Sequence, residues 1–240
     1  MEFTSPLLRG RLLRRYKRFF ADIELDDKRL ITAHCPNTGS MKTCADEGAV
    51  VWVQGHSDPK RRLAYTWEFT ASAGALIGIN TQRTNALVAE ALGRGLLPEL
   101  AGYTSIQREV RLGADSRLDF LLSGDAGGKP CWVEVKNATY RYGEVITFPD
   151  AVTSRGAKHL DALAAAVAGG DRGVLLYVVN RPDGIGFQAI RALDPRYFYA
   201  MEQAQAAGVE VLAYRSAVTI GPLGASSELR ERVQVMTSKG

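Results

Sequence analysis

The sequence has little sulfur chemistry to offer. Its three cysteines, Cys35, Cys44 and Cys131, are sparse and odd in number. That excludes a disulfide framework, and nothing stands in the paired CxxC spacing of a zinc ligand set. No apolar stretch is long enough to cross a bilayer. The opening MEFTSPLLRGRLLRRY lacks the long apolar core of a secretory signal. These absences lead to the expectation of a reducing, cytoplasmic setting and no membrane partner. There are no internal repeats, and no sugar-specific motif points to an enzyme acting directly on sugars. Nothing in the sequence marks an oligomeric state.

Acids are missing from one short region. Arg9, Arg11, Arg14, Arg15, Lys17 and Arg18 follow one another with no carboxylate between them, in a chain whose formal net charge is only +4. Clustered positive charge attracts polyanions. The competing reading is a solvated strand face balanced by the acids that follow, Asp22, Glu24, Asp26 and Asp27.

The first third reads as short strands separated by turn formers. Leu12 to Leu25 alternates, with Phe19, Ala21 and Ile23 on one face and Phe20, Asp22 and Glu24 on the other. Asp26-Asp27-Lys28 is a turn, and Arg29 to His34 returns. Ala49 to Val53, Tyr65 to Thr70 and Ala75 to Ile79 follow as strands. At this size, an OB-like five-stranded barrel over residues 1–82 is the natural candidate. In such a barrel Tyr16, Phe19, Phe20, Trp52 and Trp67 are either core or surfaces for stacking bases, with core the commoner fate.

The pattern changes after residue 82. Leu87, Val88, Ala91, Leu92 and Leu96 fall at helical spacing within Thr84 to Leu100. Strands are expected over Ile106 to Leu112, Arg117 to Leu122 and Pro130 to Val135, then a helix over Thr153 to Val167. The run Gly173 to Val179 has the character of a strand buried on both faces. Asp194-Pro195 opens another helix that stops at Gly208, and Glu210 to Tyr214 is the last strand expected. The polar tail after Gly221 is expected to fray. This order gives a mixed sheet flanked by helices over residues 83–240, a two-domain α/β (α+β) chain in all.

The chemistry concentrates in Arg117-Leu118-Asp119-Phe120 and Trp132-Val133-Glu134-Val135-Lys136. On a strand, Glu134 and Lys136 point to one face and Val133 and Val135 to the other. If the preceding strand pairs with this one, Asp119 reaches the same end of the sheet. Two close carboxylates are costly unless a cation lies between them. A hard divalent ion, Mg²⁺ or Mn²⁺, would suit Asp119, Glu134 and the backbone carbonyl of Val135, with Lys136 beside it. This is the equipment of phosphodiester hydrolysis. The competing reading is an exposed Glu–Lys pair with an unrelated Asp, because ExK on a strand is common.

Arg155, Lys158 and His159 fall at i, i+3 and i+4 and share a helix face. That face is either a grip for a phosphate backbone or a solvated stripe. Glu90 and Glu109 are possible further acids. His34, Asn37 and Thr38 sit in a Pro-Asn-Thr-Gly turn that is either structural or part of an interdomain cleft, and Phe148 to Ala151 is a loop that would shape the rim.

These stretches resemble the sugar fermentation stimulation protein A (SfsA) family over nearly the whole chain. The resemblance is carried by RYKRF at Arg15 to Phe19, HCPNTG at His34 to Gly39, SRLDF at Ser116 to Phe120, EVK at Glu134 to Lys136, FPDAV at Phe148 to Val152 and RGAKHL at Arg155 to Leu160. It implies an N-terminal OB-like domain and a C-terminal PD-(D/E)XK restriction-endonuclease-like domain. It also implies non-specific DNA binding and a regulatory link to sugar use. Asp119, Glu134 and Lys136 then fill the three signature positions, with Leu118 where the signature has proline. The two functions in view are a Mg²⁺- or Mn²⁺-dependent nuclease and a non-catalytic DNA-binding regulator of sugar metabolism genes. In either, Arg11, Arg14, Arg15, Lys17, Arg18, Arg155, Lys158 and His159 are the candidate DNA contacts.

Overall fold

A computed structural model describes residues 1–3, 5–113, 116–125, 128–221 and 224–236. The basic segment forms β1 (Leu8–Tyr16), which turns back into β2 (Phe20–Leu25) and then β3 (Leu30–His34). After the HCPNTG loop come β4 (Val50–Gly55), β5 (Tyr65–Ser72) and β6 (Ala75–Gly78). The strand order is β3-β2-β1-β4-β5-β6, and a parallel β3–β5 pairing closes the first five strands into a barrel. The barrel is filled by Leu12, Ile23, Val51, Val53, Trp67 and Ile77, all with no exposed surface.

The expected single strand from Leu12 to Leu25 is therefore two strands. Lys17 and Arg18 break it, both in the left-handed region with φ of 47° and 63°. Ala21 and Ile23 are buried as the alternation requires, but Phe19 falls in the turn and is 47% exposed.

The second unit is a six-stranded mixed sheet in the order β14-β13-β12-β9-β8-β7. Its strands are β7 (Ser105–Leu112), β8 (Ser116–Ser123), β9 (Cys131–Ala138), β12 (Arg172–Val179), β13 (Glu210–Gly221) and β14 (Gly224–Arg232). A small hairpin of β10 (Tyr140–Tyr142) and β11 (Val145–Thr147), absent from the sequence reading, follows β9. The central β12 runs parallel to both β9 and β13 and is buried almost throughout. Helix α1 (Thr84–Gly93) covers one face through Leu87, Val88 and Ala91. Helices α2 (Ser154–Ala168) and α3 (Pro195–Ala206) cover the other through Leu160, Leu163, Tyr197 and Met201.

Two further expectations are corrected. The helix expected to reach Leu100 stops at Gly93. Gly95 adopts φ 66°, its N–H reaches Leu92 O at 3.1 Å, and Leu96 N reaches Ala91 O at 2.9 Å. This left-handed glycine cap ends the helix, and Leu96 and Leu97 continue the apolar pattern by packing after it. Among the described residues the tail after Gly221 does not fray; residues 222–223 and 237–240 lie outside them. Over Gly224–Arg232 it pairs antiparallel with β13, burying Ala225, Ser227 and Leu229 on alternate positions. Small and polar residues hid that period. The chain start pairs there too: Phe3 N donates to Ala225 O at 2.9 Å.

Candidate active site

The site begins where two strands part. Regular pairing of β8 with β9 runs from Leu122↔Cys131 to Phe120↔Val133 and goes no further. The next register position sets Asp119 opposite Glu134. There the Asp119 carboxylate takes the place of a main-chain partner. Its Oδ2 accepts the Val135 N–H at 2.7 Å, and its Oδ1 accepts from Asn85 Nδ2 at 2.7 Å. Asn85 lies in the first turn of α1, so that helix contributes to the site through its start. On the other side of Asp119, Glu109 of β7 sits at φ 53°, a conformation that a glutamate adopts only under constraint.

Glu134 and Lys136 do share a face, while Val133 and Val135 pack into the opposite core. Glu134 is 2% exposed. Its Oε1 is held by two short contacts, from Lys136 Nζ and from His159 Nδ1. Its Oε2 is buried with no hydrogen-bond partner. Leaving a buried carboxylate oxygen unpaired costs free energy, so such an atom calls for an explanation. A hollow of about 250 Å³ opens here, bordered by Asp119, Glu134, Val135, Lys136, Arg155 and Glu109 among others.

The two acids titrate apart. Burial, and then the neighbouring Glu134 charge, push the Asp119 carboxyl up to about 6. Burial pushes Glu134 up as well, but the His159 hydrogen bond and the Lys136 charge outweigh it and hold Glu134 below its ordinary value. One carboxylate is thus firmly ionised and the other is short of positive charge.

The donor set fits a hard divalent ion. It offers an orphaned carboxylate oxygen, a second carboxylate under electrostatic strain, and polar walls with room for water. No group of three or more His, Cys, Asp or Glu able to hold a metal occurs among the described residues. An ion here would complete its shell with water and substrate oxygens.

The remaining candidates scatter. His159 is not on the exposed face with Lys158. It is 8% exposed, turned inward onto Glu134, with Arg155 Nε at 3.4 Å from its other ring nitrogen. Arg155 borders the hollow and Lys158 is exposed. Glu90 lies elsewhere on α1, paired with the Met1 amino group at 2.6 Å and with Arg94 at 3.0 Å. Asn37 and Thr38 border a cleft of about 530 Å³ between barrel and sheet, which shares Thr81, Lys136, Asn137 and Arg155 with the hollow. His34 instead lines a separate depression on the barrel surface.

The basic strand is largely spent within the barrel. Arg9 pairs with Asp26 at 2.8 Å and Arg14 with Asp22 at 2.7 Å. Arg15 donates to the carbonyls of Asn37 and Gly39, each at 2.9 Å, and so holds the HCPNTG loop. Arg11 reaches Gly48 O at 3.0 Å. Lys17 and Arg18 are exposed at the turn. Asn85 went unnoticed in the sequence. The available sign was a pair of polar residues, Thr84-Asn85, opening a helix otherwise read for its apolar face and for Glu90.

Comparison with known proteins agrees across the chain. Residues 82–221 match a family described as the sugar fermentation stimulation protein RE domain, and residues 13–79 match the SfsA N-terminal OB domain. A sugar fermentation stimulation protein homolog from Geobacter metallireducens is 51% identical over 91% of this chain and 94% of its own. That from Geobacter sulfurreducens is 49% identical over 100% of both. The solved structure of Pyrococcus furiosus SfsA in complex with Ca²⁺ superposes with a TM-score of 0.86, at 27% identity, over 98% of each chain.

Proposed function

The chain belongs to the sugar fermentation stimulation protein family, and from that premise we propose that it is a DNA-binding phosphodiesterase using Mg²⁺ or Mn²⁺ at Asp119 and Glu134. The observation that carries this reading is the unpartnered, buried Oε2 of Glu134 beside an Asp119 whose pKa is raised to about 6. The Ca²⁺ in the Pyrococcus relative supports a hard divalent ion at this kind of protein.

Asp119, Glu134 and the Val135 carbonyl would hold the ion. Bound there, it would acidify a water and polarise a phosphate. The protein's own groups divide the rest of the work. His159 fixes Glu134 by its Oε1 and leaves the unpartnered Oε2 as the oxygen that would ligate an ion. Lys136, on the same carboxylate oxygen, is placed to orient the water or to offset charge developing on the phosphate. Arg155, at the mouth, is placed to hold the phosphate backbone. Asn85 and the Val135 N–H keep Asp119 aimed into the hollow.

The test incubates the protein with single-stranded, duplex and branched DNA and RNA, with Mg²⁺ or Mn²⁺, beside Asp119→Ala and Lys136→Ala. Cleavage that falls by about 10²-fold or more in both variants is expected. Salt-sensitive binding without cleavage in any arm would leave a DNA-binding regulator and remove the nuclease.

A further inference from the structure

The aromatic residues of the barrel do not share one fate. Trp67 is wholly buried, and Trp52 packs against the cluster of Phe3 and Phe69. The aromatics around the β1–β2 turn face outward. Tyr16 stacks on Phe20 with ring centroids 5.4 Å apart and an interplanar angle of 17°. Arg62 lies over the Phe20 ring at 5.8 Å and Arg14 over Tyr16 at 4.8 Å. Phe19, 47% exposed, joins Phe20, His34, Arg61, Arg62 and Leu63 around a depression of about 280 Å³. That is near the lower limit of ligand pockets and suits one flat group.

Arg14 is neutralised by Asp22, but most of the charge around this platform is uncompensated. Among the described residues, Lys17, Arg18, Arg61 and Arg62 have no carboxylate partner, unlike Arg9 and Arg14. The turn that carries Lys17 and Arg18 holds two consecutive non-glycine residues at positive φ. Asparagine and glycine are the easy choice for such a turn, so two cations there are presented at a conformational cost. Arg18 also borders the interdomain cleft, and that cleft meets the Glu134 hollow through Lys136 and Arg155.

We propose that a single-stranded polynucleotide lies along this line: an unpaired base stacks on the exposed Phe19 ring, in the depression edged by Phe20 and Arg62, and the backbone passes the Lys17–Arg18 turn into the cleft leading to Glu134. An exposed ring bordered by cations, as Phe19 is, favours unpaired bases, because a duplex keeps its base faces stacked inside. The strand's passage into the cleft rests on the phosphodiesterase reading above, whereas the platform stands on its own residues.

Fluorescence anisotropy in Ca²⁺ tests it, with labelled oligo-dT and oligo-rU of about twelve nucleotides and the matching duplex. Three forms are compared with wild type. Phe19→Ala with Arg62→Ala removes the platform. Lys17→Asn with Arg18→Gly removes two cations but suits the turn, so it folds. Asp119→Ala is the control for the metal site. Tighter binding of a single strand than of duplex is expected, weakened about tenfold by the platform variant. The turn variant is expected to lower the salt slope by about 1.4, for two phosphates on a single strand. Preference for oligo-dT or oligo-rU identifies the strand as DNA or RNA. Duplex binding as tight as either single strand, or platform and turn variants that bind like wild type, overturns the proposal. If Asp119→Ala keeps single-strand affinity and the wild type cuts nothing, the phosphodiesterase reading fails while the platform survives.

Discussion

At Asp119, charge and burial are set against each other. Its carboxyl has a pKa raised from 3.8 to about 6, chiefly by burial and then by Glu134. The folded state therefore holds a proton that the unfolded chain has already released between about pH 4 and 6. Stability of the metal-free protein should fall as pH rises through that window, by about 1–3 kcal/mol, and stay low above it. A divalent cation favours the ionised form, so Mg²⁺ or Ca²⁺ at neutral pH should raise the melting temperature. Asp119→Asn should flatten the pH dependence and abolish the cation's effect. Thermal melts across pH, with and without the cation, decide this. A wild type indifferent to both would remove Asp119 from any metal site.

His159 shows how one side chain acts through another. It touches Glu134 Oε1 and shields that acid from burial's penalty. His159→Ala should weaken cation affinity several-fold while leaving the fold assembled, because it frees Glu134 to rotate and raises its pKa. His159→Asn, which keeps a donor near Oε1, should recover part of the loss. Titration calorimetry on both variants reads the difference, and equal affinity in all three proteins would make His159 a packing residue only.

Among the elements, the helix starts decide most. Asp194 caps α3 through Tyr197 N at 3.0 Å, as the Asp-Pro sequence predicts. Its other oxygen accepts the Thr153 N–H at 2.8 Å, just ahead of α2. One buried carboxylate therefore ties together the two helices of one face, including the one that carries His159 and Arg155. Asp194→Ala should cost about 2–4 kcal/mol by chemical denaturation, more than a surface cap, because it orphans buried N–H groups at two places.

The loops are tied in the same manner. Gly39 lies so close to Asp150 that a methyl group would overlap its carboxylate, and Asp150 accepts from Ser40 Oγ at 3.2 Å and Met41 N at 3.3 Å. Gly39→Ala should destabilise by about 1–3 kcal/mol. Part of that should vanish in the Asp150→Ala background, where the overlap is gone. Additive costs in the double variant would mean that the two loops do not meet in this way.

The whole molecule depends on a polar weld between barrel and sheet. Arg181, 1% exposed, binds Asp183 with two bonds and donates to the carbonyls of Thr43, at 3.2 Å, and Thr139, at 2.8 Å. Glu68 of the barrel, equally buried, holds Arg83 at 2.7 Å just before α1. Thr81 Oγ1 reaches Pro36 O at 3.0 Å. Arg181→Met should cost about 3–5 kcal/mol, because the Thr43 and Thr139 carbonyls lose their buried donor and Asp183 keeps only Arg141. Calorimetry should then show one melting transition for the wild type and two for the variant, and a single peak for both would place the coupling elsewhere. None of the helices in the described residues is long and apolar enough to cross a membrane.

The sequence by itself determined the two-part plan and the shared face of Glu134 and Lys136. Strand alternation is a period-two property, so neighbours on one strand declare their shared face without further information. The expected helix over Thr84 to Leu100 and the frayed tail after Gly221 went wrong where apolar spacing outran a glycine cap and where small residues formed a strand. Only tertiary structure decided which charges remain for a partner. Arg14 is spent on an acid of the next strand and Arg9 on one in the turn after it, while Arg61 and Arg62 come beside Phe20 from a distant loop. The same holds for Asn85 and His159, which meet the two acids across 34 and 25 residues of chain. Contacts that distant depend on how sheets and helices pack, and no local pattern records them.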